Sequence, residues 1–165
     1  MKIGKGVEWA AHACAVLALL PAGAALSRDS LADYLGVPAP YLAKQLQALS
    51  RAGLVQTQRG VAGGYRLARA PDAISLWDIT AALEGTQPSF RCTEIRRNGP
   101  CGASPAECPG PCDIAAAFRQ AEIAFRDYLR AVPLTHIVSG ATSVATAPRK
   151  QRIRDWIADH ATQPG

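Results

Sequence analysis

The stretch GVEWAAHACAVLALLPAGAA, residues 6–25, is apolar enough to predict a short helix from about Gly6 to Leu20, stopped at the PAG that follows. SRDSLADYLGVPAPYLAKQLQALSRAGLV then carries two helical patterns joined at Gly36-Val37-Pro38. Within it, Ala32, Gly36 and Leu42 fall at relative positions one, five and eleven. A helix-turn-helix needs that spacing: a small residue where the helices touch, a glycine free to take positive φ in the turn, and an apolar anchor on the second helix. Leu42, Leu46 and Leu49 give the second helix a buried stripe, which leaves Tyr41, Lys44, Gln45 and Gln47 pointing elsewhere. LVQTQRGVAGGYRLAR alternates as two short strands around the glycine-rich turn RGVAGG. Ser75 and Asp78 in ISLWDITAALEG predict a capping box on a helix that ends near Gly85.

Beyond residue 85 the periodicity lapses. Residues 86–112 are rich in Pro, Gly and Cys, a loop that cannot bury much and needs something other than an apolar core to order it. Helical period resumes in DIAAAFRQAEIAFRDYLRAV, with Ile114, Phe118, Ile123, Phe125 and Leu129 among its apolar positions, and a helix of that length predicts packing on a twin. SGATSVATAP reads as a linker, and RKQRIRDWIADH as an amphipathic helix with Ile153, Trp156 and Ile157 on one face. The chain is thus expected to be mostly α with a small β wing. Its expected units are a winged helix-turn-helix domain over 1–85, a cysteine loop over 86–112, a dimerisation helix region over 113–139, and a linker with a short helix over 140–165.

Charge sharpens this picture. The 165 residues carry a formal +5, and all of it sits in residues 1–70, where eight Lys/Arg face three acids; the remainder holds ten of each. A basic first half and a neutral second half fit a module that meets a polyanion and carries a partner domain. The run Ala13–Leu20 followed by PAGAA imitates a secretory signal, but Glu8 and His12 interrupt the pattern, and no stretch reaches the ~20 apolar residues of a membrane span. The expectation is a cytoplasmic protein without membrane association.

Side chains near the start of a recognition helix reach base edges in the major groove. Tyr41, Lys44 and Gln45 stand there, while Arg59, Gly63 and Arg66 of the wing would approach the backbone or the narrow groove. Four of the five cysteines crowd into Cys92-x8-Cys101-x6-Cys108-x3-Cys112, unlike the tight CxxC pairs of ordinary zinc sites. The irregular spacing suits an iron-sulfur cluster; structural zinc and disulfides are the alternatives. Glu8 and His12 lie about 40° apart around a helix and ~6 Å along it, so one helix could offer both donors to a metal. Cys14, on an apolar helix, reads as a buried small hydrophobe. No acid/base pair or phosphate loop suggests an enzyme or a small-molecule substrate, and a thiol oxidoreductase would want a CxxC on a strand-helix turn.

LSRAGLVQTQRGVAGGYRLAR, with YLAKQLQAL before it and ISLWDI and the cysteine loop after it, resembles the Rrf-two family of bacterial winged-helix regulators over roughly residues 1–138. GVEWAAHACAVL, YLAKQLQALSRAGLV and CTEIRRNGP are most similar to a redox-responsive branch of that family. The resemblance implies a homodimeric repressor of double-stranded DNA with a 2Fe-2S cluster, held by two cysteines of one chain and a Glu/His pair from the partner's first helix. Carried over, the pair is Glu8 and His12, and the thiolates are Cys112 and Cys108. Cys101 is an extra thiol, Cys92 stands in a matching CTEI, and Pro38 replaces a frequent Ser cap. On this reading Trp9, next to Glu8, is the candidate relay between cluster state and the reading heads.

Overall fold

The computed structural model describes residues 3–58 and 63–162. Among the described residues, seven helices and one hairpin follow in the order α1 (Lys5–Leu17), α2 (Arg28–Leu35), α3 (Ala39–Arg51), β1 (Val55–Gln58), β2 (Gly64–Leu67), α4 (Leu76–Glu84), α5 (Asp113–Arg130), α6 (Leu134–Val144) and α7 (Ala147–His160). Short 3-10 turns at Pro71–Ala73 and Ile95–Arg97 lead into α4 and the cysteine loop.

The core gathers where α1, α3 and α4 meet. Ala10, Ala13 and Cys14 of α1 face Leu42, Leu46 and Leu49 of α3, with Leu26, Leu31, Leu54, Ile74, Ile79 and Leu134 closing the cluster. The first apolar segment is therefore core, and its small residues let α1 lie close to its neighbours. Ser27 caps α2 by accepting from the Ser30 N–H at 3.0 Å. Gly36 ends α2 at φ 64°, and the N–H groups of Gly36 and Val37 return to Asp33 and Ala32. That left-handed cap turns the chain into α3.

β1 and β2 pair antiparallel from Val55↔Leu67 to Gln58↔Gly64. Leu26 extends the hairpin by one bridge: its N–H donates to Tyr65 O at 3.0 Å, and the Tyr65 N–H donates to Leu26 O at 2.7 Å. This close approach needs Gly64, because a Cβ there would stand 2.6 Å from Leu26 O. The expected capping box is present, with Ser75 Oγ accepting from the Asp78 N–H and Asp78 Oδ2 accepting from the Ser75 N–H.

The expected linker differs. Residues 139–144 belong to α6, which Pro133 opens and which Leu134 and Val138 anchor on the core. Its small polar residues do not unwind it, because Ser139, Thr142 and Ser143 turn their hydroxyls back onto carbonyls of the preceding turn. The α7 helix forms as expected, with Ile157 buried and Ile153 and Trp156 half-buried. Among the described residues, no helix is long and apolar enough to cross a membrane.

Candidate functional site

The α3 helix buries Leu42, Leu46 and Leu49 and leaves Tyr41, Lys44, Gln47 and Arg51 exposed. Tyr41 is 58% exposed. Gln45 is half-buried on the leucine side of α3, three residues past Leu42 and four before Leu49, and lies against Gly6 in the first turn of α1. A Cβ at Gly6 would stand 2.6 Å from its Nε2, and its Oε1 is buried without a hydrogen-bond partner. The helical spacing of the leucines already contained that placement, and the exposed polar stripe runs through Gln47 and Arg51 instead.

The wing residues divide. Arg59 lies outside the described residues, and Gly63 immediately precedes β2. Arg66 is half-buried; it lines a hollow with Leu17, Pro21 and Gln56, and its Nε is buried without a partner. Arg69, which the sequence did not single out, donates to Ala52 O at the end of α3 at 3.2 Å and ties the hairpin's exit to the reading helix.

Glu8 and His12 are both exposed on consecutive turns of α1. Between them Trp9 is half-buried and meets Tyr41 edge-on, with ring centroids 6.5 Å apart at 72°. The helix carrying the donor pair thus touches the exposed face of the reading helix.

The cysteine loop is strapped to α5 at its start. Glu122 accepts from the Ser89 N–H at 3.1 Å, Arg126 pairs with Glu122 and donates to Gln87 O at 3.2 Å, and Phe90 stacks on Phe118 at 4.6 Å. Burial raises the Glu122 carboxyl, but the Ser89 N–H and the Arg126 guanidinium outweigh it and hold the group below its ordinary value. Arg126 and Arg130 also lie over the Trp77 ring at 5.1 and 5.4 Å, which joins α5 to α4.

Arg96 organises the rest of the loop. Its Nε donates to Glu94 Oε1 at 2.6 Å, and its Nη2 donates to Gly110 O at 2.9 Å. The bond to Glu94, with Cys108 and Cys112 close by, favours its charged form. Both of the expected ligand cysteines therefore lie close to one fixed cation. Cys112 is buried at the N-cap of α5 and Cys108 is half-buried. Cys92 and Cys101 are exposed, with Cys92 beside Ala115 and Arg119 of α5. Burial pushes the Cys14 thiol up to about 12, which leaves it an inert core residue. Among the described residues, no three His, Cys, Asp or Glu side chains come together to hold a metal ion. One chain presents Glu8 with His12 and the loop thiols as separate sets.

Comparison with known proteins agrees with this architecture. The Rrf2 family, described as an iron-dependent transcriptional regulator, matches residues 3–140. The HTH-type transcriptional regulator slr0846 of Synechocystis is 44% identical over 90 residues, covering 54% of this chain and 61% of that protein. Protein aau3 of Rhizobium meliloti is 34% identical over 125 residues, covering 74% and 76%. Among solved structures, T. potens IscR superposes with a TM-score of 0.67 at 23% identity, over 89% of this chain and 93% of that one. The family model and the slr0846 match are to regulators of transcription and not to enzymes, and with the exposed polar face of α3 and the hairpin beside it they place the chain in the Rrf2 family of winged-helix, DNA-binding transcriptional regulators.

Proposed function

We propose that this regulator is a homodimeric repressor whose grip on its operator depends on a 2Fe-2S cluster shared between protomers. Glu8 and His12 of one protomer would supply one side. Cys108 and Cys112 of the partner subunit would supply the other, with Cys92 and Cys101 as further thiols. The loop thiols and the His12 imidazole suit such a cluster, since thiolates can serve one iron and nitrogen donors the other. When bound, the cluster supplies one-electron redox chemistry.

The protein's own residues do the remaining work. The α5 helix buries only Ala115 in its own chain, while Ile114, Phe118 and Tyr128 stay 62%, 53% and 71% exposed on one stripe. An uncovered stripe of that size favours a second copy. A dimer presents two α3 helices to half-sites about one DNA turn, ~34 Å, apart, so a small shift of either head alters affinity. Tyr41, Lys44, Gln47 and Arg51 face the duplex, and Arg96 holds the thiol segment in place.

The observation that carries the reading is the Trp9–Tyr41 contact, which puts the helix bearing Glu8 and His12 directly against the reading face. The test is anaerobic purification, with an absorption spectrum and iron, sulfide and zinc analysis. Iron and acid-labile sulfide are expected, with visible absorption lost in Glu8→Ala/His12→Ala. A colourless protein carrying stoichiometric zinc, or neither metal, overturns the proposal.

A further inference from the structure

The family match ends at residue 140, and α7 lies wholly beyond it. This appended helix folds back onto the reading domain. Trp156 meets Tyr34 of α2 edge-on at 4.8 Å, and Thr162 exchanges backbone hydrogen bonds with Ala25 in both directions. Between α7, α6, α2 and α1 the return leaves a hollow of about 380 Å³. Its walls are apolar: Val16 and Leu19 from α1, Val138 and Ala141 from α6, Ile153 and Ile157 from α7. Arg149, Lys150 and Arg154, all on α7, stand at the same hollow, and no Asp or Glu lines it. Among the described residues none of these three cations is in an ion pair; Arg154 donates only to the Gln151 side-chain oxygen, at 2.5 Å.

Small-molecule sites have this composition, apolar walls with a few convergent polar groups in roughly 300–1,000 Å³. Three cations without ion pairs beside apolar walls, with no acid among the lining residues, complement an anionic head on an apolar body. We propose that the hollow binds a carboxylic acid of this kind, such as a medium-chain or aromatic acid. The carboxylate would lie against Arg149, Lys150 and Arg154, and the body against α1 and α6. His12 stands at its edge, so an occupant bears on the helix that touches Tyr41. The site would give the regulator a small-molecule input beside the cluster proposed above, sharing only His12 with it.

The test titrates the intact protein with decanoate, and with decanol as the uncharged control, by calorimetry and by displacement of anilinonaphthalene sulfonate fluorescence. Saturable binding of decanoate at one site per chain is expected, at least tenfold tighter than decanol. Ala141→Trp, which fills the hollow, should abolish it. Arg149→Ala/Lys150→Ala/Arg154→Ala should weaken it at least tenfold; these side chains hold no ion pair, so this variant carries the test even where Ala141→Trp does not fold. No saturable binding, equal affinity for decanol, or undiminished affinity in the triple variant overturns the inference. So does a triple variant that loses only DNA affinity, which would assign the cations to phosphates. Calorimetry and dye displacement use neither iron nor operator, so a failure to bind decanoate is distinct from failure of the cluster proposal.

Discussion

Gly64→Ala isolates the contact that fixes the wing to the domain. The new Cβ would stand 2.6 Å from Leu26 O and 2.7 Å from Leu26 C, both backbone atoms that cannot rotate away. Ordinary contact begins at 3.4 Å, so the strands must part by about 0.8 Å. That would stretch the Tyr65 N–H to Leu26 O bond from 2.7 Å, and its reciprocal from 3.0 Å, to the limit of useful hydrogen bonding or past it. Overpacking costs about 1–3 kcal/mol and two weakened bonds roughly 0.5–1.5 kcal/mol each, so a loss of about 2–6 kcal/mol is expected. For a chain of this size it corresponds to a fall in Tm of roughly 4–24 °C. Two controls calibrate the argument. Gly110→Ala has nothing within 4 Å of the added carbon and should shift stability by less than about 0.5 kcal/mol. Gly6→Ala meets only the end of the Gln45 side chain, which can swing aside, and should cost under about 1 kcal/mol. Thermal and urea denaturation followed by circular dichroism read all three. If Gly64→Ala melts within about 2 °C of Gly110→Ala, the close approach does not hold the wing and the reasoning fails.

Other perturbations test other contacts. Leu46→Ala opens a cavity between α3 and α1 and should cost about 2–5 kcal/mol in urea denaturation. Ser75→Ala removes one half of the α4 capping box and should cost about 1 kcal/mol by the same measurement. Because the Glu122 carboxyl ionises below its ordinary value of 4.5 in the fold, the strap between loop and α5 contributes fully above that pH. Its contribution disappears as pH falls through the lowered value, and Glu122→Gln should remove that part of the pH dependence of loop protection in hydrogen exchange. Phe118→Glu should convert the expected dimer to monomer in sedimentation and lower operator affinity; an unchanged dimer would assign the α5 stripe to another role. Trp9→Phe should blunt the redox dependence of DNA affinity, measured anaerobically, and unchanged dependence would remove the tryptophan from the coupling.

Much of the reading domain was legible from local rules. The Gly36 turn, the leucine stripe of α3, the hairpin and the Ser75/Asp78 cap are each decided by a few neighbouring residues, so their spacing alone carries them. Gln45 falls on the leucine side of α3 by its spacing, but that Gly6, far away in sequence, leaves room for its side chain is not readable locally. Arg96 escaped notice because nothing local marks it; its importance comes from reaching Gly110 across the loop.

The amino-acid order by itself determined the helix-turn-helix, the wing and the set of available donors, since turn glycines, caps and apolar periodicity act over a few residues. Tertiary packing alone decided that α1 lies against α3 with Trp9 on Tyr41, that the loop is strapped to α5, and that α7 returns to wall a hollow. Those outcomes join residues tens of positions apart, and which distant apolar faces meet depends on how all the helices share one core.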